Sequence, residues 1–245
     1  MSHRGNLPPW NNSGSRATAD KTAVRYQTPL RSSGPSMPAR LALVAFFCLS
    51  VHCSVDAGDS WPQFRGPDGN GIAKDQTIPT EFGESDGVTW KTELPGLAWS
   101  SPVIANGTIW VTTAIERVPT EEERLDLLKK NGIEERKFKQ LSIAKSIELK
   151  LIAISLKSGS VQKTINLTAI DSPDAIHSLN SYASPTPVID TQHIYCHFGT
   201  YGTFCVDLTS GELVWQRRLP LVHSVGPGSS PFLLKNMLVL IQDGV

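Results

Sequence analysis

Three stretches of this chain spell one phrase, at Pro102 to Val111, Pro187 to Cys196 and Pro231 to Leu240. Each copy opens on a Ser-Pro lead-in, or in the second copy Ser-Pro-Thr-Pro, and runs through a short apolar strand and a two-residue polar turn. A second strand of β-branched, aromatic and long aliphatic residues follows, which is the hairpin pattern. Self-similarity of this kind decides a fold before propensity does. The second half of the unit recurs as well, with Leu151 to Val161 matching Thr203 to Leu213 as strand, Ser-Gly turn and strand. Glycine gives that turn the positive φ a tight reversal needs. The unit is therefore four antiparallel strands in up-and-down order.

The spacing is as informative as the wording. The second and third copies stand 44 residues apart, whereas the first and second stand 85 apart, leaving 41 residues to place. Most of the excess lies between Ala114 and Leu149, where Thr120 to Glu123 reads as a capping box and Leu125, Leu127 and Leu128 form an apolar face that Asn131-Gly132 ends. A helical insertion over 117–148 is expected between the second and third strands of the first unit. A second piece, about 172–182, lengthens the link to the next unit, and both pieces are expected to be surface excursions. The third copy reaches Asp243-Gly244, a type I′ turn signal. About two and a half units are expected here, an N-terminal fragment of a larger ring, over 98–167, 183–217 and 228–245.

Ahead of the repeats, Met37 to Arg40 precedes an apolar run from Leu41 to Val51 and then the small-residue site Val55-Asp56-Ala57. This is the pattern of a secretory signal peptide over 37–57, cut after Ala57, with an uncleaved anchor as the alternative. The run is short for a membrane span, which needs about twenty apolar residues. Residues 1–36 are polar and low in apolar content, so they read as disordered or as a mis-assigned start, with translation beginning at Met37. Cleavage removes six of 23 Lys and Arg and two of 23 Asp and Glu, leaving 17 against 21 and a net charge of −4. A mildly acidic chain without a basic cluster argues against nucleic acid as a partner.

Two of four cysteines, Cys48 and Cys53, fall in the signal region. Cys196 and Cys205 lie on the arms of one hairpin, and a turn centred on Thr200-Tyr201 would set them directly opposite each other. Opposed residues have Cβ atoms about 4.5–5.5 Å apart, wider than the roughly 3.8 Å of a disulfide. Two buried thiols fit that spacing better than a bond, although an exported chain meets oxidising conditions.

Strand, glycine turn, strand, Asp, Ser/Thr-Gly, strand and Trp together resemble the pyrroloquinoline-quinone-like (PQQ-like) repeat of the quinoprotein-alcohol-dehydrogenase-like β-propeller superfamily. Trp61 to Gly71, His177 to Pro187 and His197 to Thr203 are similar to segments of the exported repeat proteins of planctomycete-type bacteria. The resemblance covers about residues 60–245 and implies an all-β fold, a β-propeller of four-stranded blades. It also implies that Trp90, which like Trp215 stands just before a Ser-Pro lead-in, is the outermost strand of a blade whose other strands lie elsewhere.

Fold resemblance does not carry function, because one superfold hosts many activities. A quinone dehydrogenase of this superfamily would need calcium ligands, an Asp base and a Trp platform, and in the alcohol dehydrogenases an adjacent cysteine pair, which this chain lacks. Trp90 and Trp215 at unit ends suit packing between sheets. His177, His197 and His223, with Asn180 near the first, are the candidates for the channel or its loops. Their spacing matches no compact ligand motif, and backbone hydrogen bonding explains them as well. Asp207 fits the repeat's aspartate, holding turn amides. Gly226 to Pro231 is not a nucleophile elbow. No catalytic residue, metal ligand or cofactor is expected. The expected function is an exported, non-catalytic propeller scaffold that binds proteins or envelope components, placed in the periplasm or cell envelope or secreted. The alternative is a propeller enzyme holding PQQ with calcium, or a metal.

Overall fold

The computed structural model describes residues 60–74, 80–81, 83, 86–219 and 225–242. The signal-peptide segment, His223 and the Asp243-Gly244 turn lie outside the described residues. The fold is all-β with one helical insertion. A first sheet is the meander β1 (Val103–Ala105), β2 (Thr108–Arg117), β4 (Ser146–Ser155) and β5 (Val161–Asp171), with the two-residue β3 (Leu141–Ser142) inside the insertion. After β6 (Ile176–His177), a second sheet repeats the order with β7 (Val188–Ile189), β8 (His193–His197), β9 (Thr203–Asp207) and β10 (Leu213–Arg217). A hairpin of β11 (Phe232–Leu234) and β12 (Met237–Val239) follows, and the described residues form no closed ring.

The repeated phrase folds into one register three times. Val103 faces Trp110, Val188 faces Tyr195 and Phe232 faces Val239, so the pairings step by the same 85 and 44 residues as the sequence. Turns repeat down to single bonds. The amide of Ser155 donates to Ser160 O and Gly159 N to Ser155 O, just as Asp207 N donates to Glu212 O and Gly211 N to Asp207 O.

Side chains alternate across each strand, so one face of the first sheet carries Val103, Trp110, Ala114, Leu149, Leu151 and Ala153. It joins Ile189, Ile194, Cys196, Phe204 and Val206 of the second sheet in the largest buried cluster. Behind the first sheet, Val111, Ile152 and Ile154 form another cluster, covered by Trp90 and Leu94. Trp90 itself pairs with no strand among the described residues. Its Nε1 donates to Leu156 O at 3.1 Å, and its ring lies on Gly159, where an added methyl would stand 2.5 Å from Cδ2 and Cε3. One sheet on, Lys163 of β5 covers Gly211 in the same way and donates to Ser210 O at 2.6 Å. A side chain from before or outside each sheet therefore seals that sheet's glycine turn.

The lead-ins join sheet to sheet. Ser101 N donates to Thr186 Oγ1 at 2.9 Å, and Thr186 N donates to Ser230 Oγ at 3.0 Å. Each of these residues directly precedes the proline that opens its copy. A main-chain amide in one copy and a hydroxyl in the next thus form a belt across all three.

Helix α1 (Glu121–Lys130) has the anticipated capping box, with Thr120 Oγ1 accepting from Glu123 N and Glu123 Oε2 from Thr120 N. Strands β2 and β4 run further than the repeat suggests, so the insertion spans only 118–145. The two insertions are not separate excursions. β3 pairs with β6, and Leu128, Phe138 and Ile143 from the first insertion share a buried cluster with Ala175 from the second. An amphipathic helix must bury its apolar stripe somewhere, and the second insertion supplies part of the cover.

The β8–β9 register differs by one residue from the expected one. A five-residue turn, Phe198 to Gly202, centres the hairpin on Thr200, so Cys196 faces Phe204 and Cys205 faces Tyr195. A one-residue slip sends side chains to opposite faces. Cys196 and Cys205 are free, buried thiols for that reason, and not because a shared face holds them too far apart.

Candidate functional site

The described candidates gather at two places, the junction of the insertions with the chain before β11, and the far face of the second sheet. At the first, His177 ends β6, its amide donates to Val225 O, and its Nδ1 accepts from Leu179 N at 3.2 Å. Asn180 spends all its capacity on the same joint. Its Nδ2 donates to Val225 O and Pro227 O at 2.8 and 3.1 Å, and its Oδ1 accepts from Ser181 N and Ser184 Oγ. An amide side chain has two donors and two lone pairs, so Asn180 has nothing left for a ligand. Gly226, at φ 90°, lets the chain approach, since a methyl there would stand 2.8 Å from Ile176 and 2.9 Å from Asn180 Nδ2.

On the second sheet, His197 and Thr203 are directly paired across β8 and β9, and His197 Nδ1 lies 2.9 Å from Thr203 Oγ1. An imidazole beside a hydroxyl is the geometry of an activated nucleophile. Here both residues are under 5% exposed, so no substrate reaches the pair. Burial lowers the His197 pKa to about 4, which keeps the ring neutral at neutral pH. The structure thus places His177 and His197 in separate roles, and His223 lies outside the described residues. Among the described residues, no three His, Cys, Asp or Glu side chains stand close enough to hold a metal ion.

Sequence reasoning did not single out the tyrosines beneath the insertions. Tyr182 OH donates to Asp174 O and Tyr201 OH accepts from Asp174 N, both at 2.9 Å, so two phenols clamp one peptide segment. Their rings meet edge to face at 5.8 Å. Burial drives both phenols well above the ordinary tyrosine value, so they act as hydrogen-bonding groups and not as bases. Glu116, on β2, is also raised by burial. The only sequence signal was that both tyrosines fall inside segments already noticed, one after Asn180 and one in the turn after His197.

Asp207 Oδ1 accepts from Thr209 N and Ser210 N at 2.9 and 2.7 Å, and the Ser210 bond leads in holding its carboxyl below the usual range. Asp190 does the same in the β7–β8 turn, at the end of β8 where His193 faces Asp207. Its Oδ1 accepts from Gln192 N and His193 N and its Oδ2 from Tyr195 OH, each at 2.7 Å. Both carboxylates close turns. No protein-family model matches the chain, and no curated protein matches it.

Proposed function

We propose that this chain belongs to an exported β-propeller of the PQQ-like repeat type, whose work is non-catalytic: it presents loops and edges to other proteins or envelope components. Support for the propeller comes from three hairpins in one register joined by a repeated amide-to-hydroxyl bond, and from front-to-back packing of the first two sheets, in which the Val103–Trp110 face of one meets the Ile189–Ile194 face of the next, the counterpart of Ile104–Ile109. The observation that carries the scaffold reading is how the polar candidates are spent. Asn180 is saturated by the backbone, His197 is buried against Thr203, and Asp190 and Asp207 close turns. Export rests on the 37–57 segment. Among the described residues, no helix is long and apolar enough to cross a membrane.

The test is an ultraviolet–visible spectrum with metal analysis of the full-length protein purified without chelator. The scaffold reading expects no quinone absorbance and no stoichiometric metal. A bound quinone chromophore, or one calcium per chain, overturns it in favour of a propeller enzyme.

A further inference from the structure

The inner edges of the two sheets are bridged by residues belonging to neither. Trp61 exchanges two main-chain bonds of 2.9 Å with Ile104 of β1, and Ile189 N of β7 donates to Pro62 O at 2.8 Å. Successive carbonyls of an extended chain point to opposite sides, so these two residues serve both sheets as one shared strand. Proline suits the second position because the β7 side asks only for an acceptor.

Beyond the bridge the chain turns back onto its own tryptophan. Arg65 and Gly66 have φ of 62° and 75°, and a methyl on Gly66 would stand 2.7 Å from the Trp61 ring. Between residues 61 and 71 only Gly66 is buried. Main-chain bonds, the Gln63 to Pro67 side-chain bond, the exposed Lys74–Asp68 ion pair, and the contacts of Gly66 with Trp61 and Arg65 with Phe64 hold this segment, not a hydrophobic core.

We propose that the facing edges of β1 and β7 form a strand-accepting site whose resident occupant is Trp61-Pro62, and that a partner protein enters by presenting an extended aromatic-proline segment in its place. The proposal rests on the scaffold reading and gives it a location. The edges offer one N–H and one C=O from Ile104 and one N–H from Ile189. A ligand must therefore donate and accept at one residue and accept at the next. Strand addition of this kind draws affinity from main-chain bonds and selectivity from the side chains flanking them.

Amide hydrogen exchange on the full-length protein tests this, comparing wild type with Gly66→Ala, which forces a β-carbon into the Trp61 ring. The amides of Ile104 and Ile189 are expected to exchange about tenfold faster together while those inside β2 and β8 hold. Adding a synthetic peptide of the Ser60 to Ile72 sequence should restore both, and a scrambled peptide should not. Trp61→Ala, which removes the ring contact without backbone strain, should reproduce the pattern if Gly66→Ala unfolds. Unchanged exchange in both variants, loss of protection throughout the sheets, or failure of the peptide to restore the two amides overturns the proposal. A bound quinone would sink the scaffold reading and leave this result standing, whereas failed peptide rescue would remove only the site.

Discussion

Replacing Gly159 with alanine should cost far more than its φ of 70° explains, because the indole of Trp90 occupies the space the new methyl needs. The left-handed backbone alone costs a residue with a β-carbon about 1–2 kcal/mol. Expelling the ring adds the Trp90 to Leu156 hydrogen bond, about 1 kcal/mol, and part of the packing of a half-buried tryptophan, about another 1 kcal/mol. The total is about 3–4 kcal/mol. Two controls separate the contributions. Gly107, at φ 71°, has nothing within 4 Å of its would-be β-carbon, so Gly107→Ala should show the backbone cost alone. At Gly211 the obstruction is mainly the far end of Lys163, which can swing away, so Gly211→Ala should fall near Gly107→Ala. Urea midpoints for all three, repeated for Gly159→Ala in a Trp90→Ala background, complete a double-mutant cycle. The Gly159 cost should drop to about 1–2 kcal/mol once the ring is gone, a coupling of about 2 kcal/mol. Additive effects, or equal costs at Gly107 and Gly159, would refute the account of Trp90 as the seal of that turn.

Two further outcomes follow from buried polar groups. Thr186→Val deletes the hydroxyl that Ser101 N uses and should cost about 1–2 kcal/mol, with the Ser101 amide losing exchange protection, while Thr186→Ser keeps both; equal stability of the Val and Ser variants would show that the belt is idle. His197 is held at about 4 in the fold, below its ordinary 6.5, so it carries no penalty above pH 6.5 and destabilises progressively as pH falls toward 4, by about 3 kcal/mol in all. Glu116, raised by burial, acts in the opposite sense, so the decisive measurement is the difference in urea midpoint between wild type and His197→Gln across pH 4–7.5. Parallel profiles for the two proteins would contradict a neutral, buried His197.

What the residues announced and what they concealed divide along a physical line. Hairpins, glycine turns and the α1 capping box were legible because each depends on residues within a few positions of one another, where φ preference and side-chain reach act directly. The β8–β9 register was misjudged by one residue because an even and an odd turn look alike until it is known that Phe198 N bonds Gly202 O. Trp90 was noticed for its likeness to Trp215, but where its ring docks was not legible, because that is set by Gly159 and Leu156, nearly seventy positions away. Contacts at that range leave no periodic trace. At the candidate site the sequence offered His177, Asn180 and His197 by type, but not how their polar atoms were already used. Tyr182 and Tyr201 lay in segments already noticed, but nothing in them marked the clamp, since a bond to the backbone of Asp174 depends on no side chain there.

The belt through Ser101, Thr186 and Ser230 shows why a sequence so unevenly spaced can still build an even structure. Its two links are the same bond, amide to hydroxyl, at 2.9 and 3.0 Å, although one spans 85 residues and the other 44. The extra length is absorbed away from the belt. Residues 118–145 leave and re-enter between β2 and β4, and those before β7 close onto them through the β3–β6 pair. Neither excursion passes between β1 and β7, where the lead-ins and the Trp61-Pro62 bridge lie. Loop-closure cost grows only slowly with length, so an insertion at an outer turn disturbs stability little, provided that it buries its own apolar face as Leu128 and Phe138 do. The inner joints are different, because each holds a backbone amide that would otherwise go unpaired. The positions least free to change are therefore the small hydroxyl residues before each proline, and the large variation in spacing falls where the fold can accommodate it.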